Sequence, residues 1–264
     1  MPREMIAAFG AETTCLRRPD VIIVCMFSAF TDSILDIERA LVLLGDMVEK
    51  DVVNVMMACI EGNDALADEI IRFDDEIDQL DENITWLAQE IFANFHPAGG
   101  DLRFLLAVPK VSANLEIIGD SCVEIAHYLK KMDGDRISAL DGLNFIPQFE
   151  AVVKMLNSAI SALIERSSRK AWRTMAILEV SKGAFLSNLR EITEGGLETS
   201  RNNIVNLSLI ANALHVMACN ASDIAAAVVY ITHGVDVRYR RQKIFDNLIA
   251  DRPPSPEQPR PPAP

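Results

Sequence analysis

The sequence predicts an all-α protein in which helices pack on helices. Three observations carry that expectation. Apolar residues recur every three or four positions over long stretches; Ala, Leu, Ile, Val and Glu dominate while aromatics make up only 6%; and no stretch alternates apolar with polar as a half-buried strand would. At 264 residues, half of them hydrophobic, the chain is long enough to bury a proper core, as one large domain or two of ordinary size.

At the start, Arg3, Arg17 and Arg18 precede the apolar run Val21 to Phe27. A signal peptide would need a small-residue cleavage site after such a run, whereas an amphipathic pattern follows, so residues 1–26 read as an irregular leader of a cytoplasmic protein. From Phe27 to about Ile60 the positions Phe30, Ile34, Ile37, Leu41, Leu44, Val48, Val52 and Val55 predict one long helix, with Thr31 or Asp32 as its cap. Glu61-Gly62-Asn63-Asp64 is a break in which Gly ends one helix and Asn or Asp caps the next. A second helix follows from Asp64 to about Phe95, and His96-Pro97-Ala98-Gly99-Gly100 ends it. The third is expected to start with Asp101 as cap and to bury Leu105, Val108, Leu115, Ile118, Gly119, Cys122, Ile125 and Leu129, with a kink at Pro109. Residues 204–231 come closest to a membrane span, but their Asn residues, Asp223 and His215 favour a central buried helix, so no direct membrane insertion is expected. The last thirteen residues hold seven prolines, and residues 250–264 are expected to be disordered or polyproline-like.

The net charge of −13 argues against nucleic acid as a partner, because phosphate contacts need clustered Lys and Arg. The acid is concentrated: residues 61–82 hold ten Asp or Glu against the single Arg72. Five scattered cysteines without a CxxC read as buried free thiols of a reducing compartment.

Within this acidic region lies the candidate chemistry. Asp74 with Asp78, and Glu116 with Asp120, are carboxylate pairs four residues apart, and such pairs are neighbours on a helix surface. If the second and third helices pack side by side, the four converge on one patch. Two charges ~5 Å apart at an effective dielectric of ~20 repel by about 3 kcal/mol. Protonation, basic neighbours or a cation must offset that. An all-carboxylate set suits hard cations such as Mg²⁺, Mn²⁺ or Ca²⁺ and oxygen-preferring iron. The plainer reading is a solvated acidic face. Glu124-Ile125-Ala126-His127 has the E-x-x-H spacing of di-iron bundles, but these need two such pairs, and no other His has a Glu three residues before it. No Gly-rich phosphate loop, Ser-His-Asp set or reactive-Cys context appears.

Two stretches carry a resemblance to a known family. Pro97 through Asp101-Leu102-Arg103, followed by Asn114-Leu115-Glu116-Ile117-Ile118-Gly119-Asp120, resembles the "P-x-A-x-D-L-R … D-L-E-R-I-G-D" pattern of PhoU proteins. Upstream, Asp64-Ala65-Leu66-Ala67, Asp74 and Ile77-Asp78-Gln79-Leu80 resemble that family's "D-x-E-L-A … D … I-D-x-L". The resemblance implies two tandem three-helix bundles, at residues 27–132 and 145–246. The second is degenerate, with a middle helix cut to roughly half length. It also implies that Asp74, Asp78, Glu116 and Asp120 hold a divalent or trivalent metal ion (Fe, Mn, Mg or Zn). In the second bundle the corresponding positions are His215 and Cys219, with Arg190 and Glu194 opposite, which puts a second hard-metal site in doubt. The function implied is non-enzymatic: a cytoplasmic negative regulator of phosphate uptake that contacts the ATPase of a phosphate ABC transporter and a two-component sensor kinase, with a homodimer as a candidate assembly. A metal-binding or metal-storage bundle protein or enzyme, or a paralogue without phosphate regulation, are the alternatives.

Overall fold

The computed structural model describes residues 19–237 apart from 135, 142, 144 and 195–198, and gives the backbone alone for residues 19–27. All regular structure among the described residues is helical: α1 (Pro19–Glu61), α2 (Asp64–Asn94), α3 (Gly99–Lys131), the short α4 (Arg136–Asp141), α5 (Phe145–Ile164), α6 (Ser168–Thr193) and α7 (Arg201–His233). The Pro-rich tail lies outside the described residues.

The breaks are where the chain chemistry places them. Gly62 ends α1 with φ +65, and the Asn63 side chain accepts from the amides of Ala65 and Leu66 to cap α2. Gly234 closes α7 in the left-handed conformation. Two local expectations are corrected. The backbone is already helical from Pro19, within the stretch expected to be irregular, so Thr31 and Asp32 lie inside α1 and not at its start. Helix α3 begins at Gly99, two residues ahead of Asp101, which sits in its first turn rather than at the cap. Pro109 lies inside α3, a helix of 33 residues.

Helices α1, α2 and α3 form one three-helix bundle and α5, α6 and α7 another. The bundles meet along α3 against α7 and α1 against α5, with α2 and α6 on the two outer sides. One continuous apolar core runs through both, from Ile37 and Leu41 of α1 to Val229 and Ile231 of α7. Helix α7 passes for a membrane span by length and composition, but most of its apolar stretch is buried against α3, α5 and α6. At Gly45 the α1–α5 approach is so close that a Cβ would come within 2.1 Å of Ile160 Cδ1. Polar ties join the two bundles. Asn157 Nδ2 donates to Glu49 at 2.6 Å, Arg166 pairs with Glu38 at 2.7 Å, and Arg103 Nε donates to the Ile231 carbonyl at 2.9 Å.

The second bundle is smaller, but not in the way the spacing predicts. Helix α6 keeps 26 residues against 31 in α2, while α5 has 20 against 43 in α1. Glu165 lies just past the end of α5, whereas Glu49 lies well inside α1, so most of the missing length is taken from the end of the first helix of the repeat.

Candidate functional site

Helix α2 carries its apolar stripe, Ile70, Ile77 and Ile84, into the core and its acids along the flank beside α3. Helix α3 comes close because Gly119 has no side chain: a Cβ there would sit 3.2 Å from Ile77 Cδ1 and 4.0 Å from Val48 Cγ2. An ion pair between Lys130 and Asp68 holds the same two helices together some turns away.

This approach brings the predicted acids together. Carboxylate oxygens of Asp74, Asp78 and Asp120 all lie within 4.8 Å of one another. Glu116 joins through Asp120, with which its carboxyl interacts. None of the ion pairs among the described residues involves any of the four. Asp74 is half-buried, and its Oδ1 is shut off from solvent without a hydrogen-bond partner.

The electrostatics follow from that crowding. Burial first, then the charges of Asp120, Asp78 and Asp75, push the Asp74 carboxyl up to about 6. Burial, followed by Asp120, Asp78 and Asp81 and the hydrogen bond it donates to Asp120, raises Glu116 to about 7. Asp120 is raised by burial and Asp78, while the hydrogen bond from Glu116 acts the other way. Without a counter-charge the patch thus holds protons near neutral pH.

Sequence reasoning missed two carboxylates that belong to this neighbourhood. Asp81 has a buried Oδ1 with no partner and its charge acts on Glu116, whereas Glu82, the acid four residues after Asp78, is exposed. Asp51 of α1 is only 8% exposed. It occupies the core register after Leu44 and Val48 and before Val55, and an acid in that register is the signal that could have revealed it.

The donor set fits a hard cation. Every donor is a carboxylate oxygen, one is buried and unpartnered, and those of Asp74, Asp78 and Asp120 lie within 4.8 Å of one another, inside the ~5 Å that oxygens sharing an ion at ~2.3 to 2.6 Å can span. The E-x-x-H pair does not join it: Glu124 and His127 are both exposed on the outside of α3.

At the matching place in the second bundle the chemistry is different. His215 stacks on Phe185 with ring centroids 4.5 Å apart and planes 6° from parallel, and its Nε2 lies 3.7 Å from Cys219 Sγ. Burial, with the Lys182 charge adding to it, lowers the His215 pKa. From α6, Phe185 stacks on His215 and the Lys182 charge reaches it; Arg190 lies exposed in the last turn of that helix and Glu194 exposed just past its end. Neither Phe185 nor Lys182 offers an oxygen.

Known proteins resemble this chain in sequence and in fold. The PhoU domain model matches residues 41–129, the stretch that holds all four acids. A phosphate-specific transport system accessory protein PhoU homolog of Pseudomonas aeruginosa is 26% identical over 212 residues, covering 80% of this chain and 88% of the relative. One from Aquifex aeolicus is 24% identical over 209 residues, covering 78% and 94%. Among solved structures, the phosphate transport system regulatory protein PhoU of Streptococcus pneumoniae superposes with a TM-score of 0.74 at 21% identity, covering 79% of this chain and 99% of that one. PhoU of Pseudomonas aeruginosa superposes with a TM-score of 0.70 at 24% identity, covering 78% and 100%. These two structural likenesses carry the fold.

Proposed function

Because the chain belongs to the PhoU family, we propose that it is an accessory regulator of a phosphate transport system, a helical adaptor that works by protein contact in the cytoplasm. Its partners are the ATPase of a phosphate ABC transporter and a two-component sensor kinase, and its effect is to restrain the phosphate-starvation response. The names of the relatives, accessory proteins rather than enzymes, support this reading.

The adaptor carries a metal ion on the first bundle. The observation behind this is the convergence of Asp74, Asp78 and Asp120 with Glu116 hydrogen-bonded to Asp120, in a patch with no basic partner among the described residues. A bound divalent or trivalent ion (Fe, Mn, Mg or Zn) supplies the positive charge that the patch lacks. Asp74 and Asp78 hold it from α2, Glu116 and Asp120 from α3. The four residues thereby tie two helices of one bundle, and the ion favours the conformation in which α2 and α3 are closed; partner affinity differs between the closed and loosened states.

Metal binding to the purified chain tests the site. Wild type should take up Mn²⁺ saturably, and Asp78→Ala and Glu116→Ala should lose it; unchanged stoichiometry in both variants would remove the site from the proposal. Co-purification of the transporter ATPase or the kinase with the tagged chain from its own cells tests the adaptor role, and recovery of neither would overturn it.

A further inference from the structure

The outer helices of the two bundles, α2 and α6, are seated by opposite chemistry. Every seventh residue along the inner side of α2 is an isoleucine: Ile70, Ile77, Ile84 and Ile91, all four buried. Seven residues make about two helical turns, so such a row runs as one line along the packed side. The buried row at the same spacing on α6 is Thr174, Ser181 and Asn188, each at most 2% exposed. It faces α5: Thr174 Oγ1 is hydrogen-bonded to Ser158 Oγ at 2.7 Å, and Asn188 Nδ2 donates to Gln148 Oε1 at 3.0 Å.

This polar row is only partly satisfied. Between those two bonds Ser181 Oγ is shut in with no hydrogen-bond partner among the described residues, and the same holds for Gln148 Nε2 on the α5 side. A buried donor without an acceptor keeps the cost of leaving water, which an apolar pair in the same place avoids. Two residues beyond Ser181, Gly183 stands in the helix interior. A Cβ there would meet nothing within 4 Å among the described residues, so no close approach calls for glycine, and its backbone freedom weakens α6 at that point. Val180 and Leu186, on either side of it, leave apolar surface outside the core. The middle of α6 thus combines an unsatisfied polar seam, a glycine that packing does not require and apolar side chains not used for burial.

We propose that α6 is a built-in opening element: around Ser181 and Gly183 it separates from α5 in a minor state of the folded protein, while the isoleucine-seated α2 stays closed. The second bundle then has a loosened state of its own that needs no metal on the first. In that state Gln148, Ser181 and Asn188 reach water.

Amide hydrogen exchange of the full, metal-free chain, followed by mass spectrometry and corrected for intrinsic rates, tests this in wild type, Ser181→Ala and Ser187→Ala. Ser187 is exposed on the same helix, so its replacement brings the same gain in helix propensity without touching the seam. In wild type, residues 178–189 of α6 should exchange at least about tenfold faster than α2, α5 and α7. Ser181→Ala should slow α6 about tenfold and Ser187→Ala by less than about threefold, with α2 unchanged. Circular dichroism checks that each variant folds; Gly183→Ala, whose methyl enters open space, is a second variant and should slow α6 about fivefold. An α6 as protected as α2 in wild type would overturn the proposal. So would α5 and α7 exchanging as fast as α6, since the second bundle would then open as a whole. Equal slowing by Ser181→Ala and Ser187→Ala would refute the polar seam as the cause.

Discussion

The clearest energetic consequence of the acidic core is a stability that depends on pH through one residue. Burial first, against the opposing charge of Lys50 and with help from Asp74 and Glu69, raises the Asp51 carboxyl from an ordinary 3.8 to about 6. A folded-state pKa above the unfolded one means that the folded chain binds the extra proton. Its stabilising contribution is complete below pH 3.8 and is lost as the pH rises through 6. At about 1.4 kcal/mol for each tenfold change in proton affinity, ionising Asp51 costs the folded, metal-free protein about 3 kcal/mol in all, about half of it already incurred at pH 5. In Asp51→Asn this term is absent at every pH. Whatever the buried amide costs is the same at pH 5 and pH 8, so the difference between the two proteins isolates the titration. Urea unfolding of both, without metal and from pH 5 to pH 8, above the sequence pI of 4.8, should show the variant gaining on wild type by about 1.5 kcal/mol across that range. A constant difference would refute the reasoning. So would a wild type that gains on the variant as the pH rises.

Other consequences can be read directly. Because Asp74 and Glu116 hold protons up to about 6 and about 7, Mn²⁺ binding at pH 6 should release protons, seen as a calorimetric heat that changes with the ionisation enthalpy of the buffer, and the release should fade by pH 8. Gly45→Ala gains about 1 kcal/mol of helix propensity but forces a methyl into Ile160 Cδ1, an overpacking worth about 1 to 3 kcal/mol. A net loss of about 1 kcal/mol is expected in urea unfolding, and Ile160→Val should restore it by removing the obstructing atom. Arg136 pairs with Asp64 and donates to the Gly62 and Leu129 carbonyls, so Arg136→Ala should cost about 2 kcal/mol and speed amide exchange at the α1–α2 turn. His215→Glu combined with Cys219→Asp should not create a second ion site, because Phe185 and Lys182 still face that position; a doubled Mn²⁺ stoichiometry would contradict the assignment of those neighbours.

How far the sequence anticipates all this depends on what kind of signal each feature leaves. Helices α2 and α3 and the convergence of Asp74, Asp78, Glu116 and Asp120 are legible because both the apolar stripe and the i, i+4 acids obey one helical period. The start of α1 is not, since Val21 to Phe27 is apolar all round and carries no period that marks helix from leader. Asp51 escapes notice because its neighbour Val52 also satisfies the core spacing, and only packing reveals that both are buried. Asp81 and Glu82 are adjacent in sequence, and which one turns toward Glu116 is decided by the pitch and approach of α2 against α3, which the close contact at Gly119 sets. The shortened second bundle misleads for a simpler reason: spacing between matched residues gives a total length but not the helix that loses it.

The acids of α2 and α3 are either the proposed cation site or a solvated face. Anomalous diffraction from crystals of the full chain grown with Mn²⁺ tests the cation site most directly. The predicted result is a Mn²⁺ peak among Asp74, Asp78, Glu116 and Asp120, with none beside His215 and Cys219; a map with no peak at those four carboxylates would contradict it.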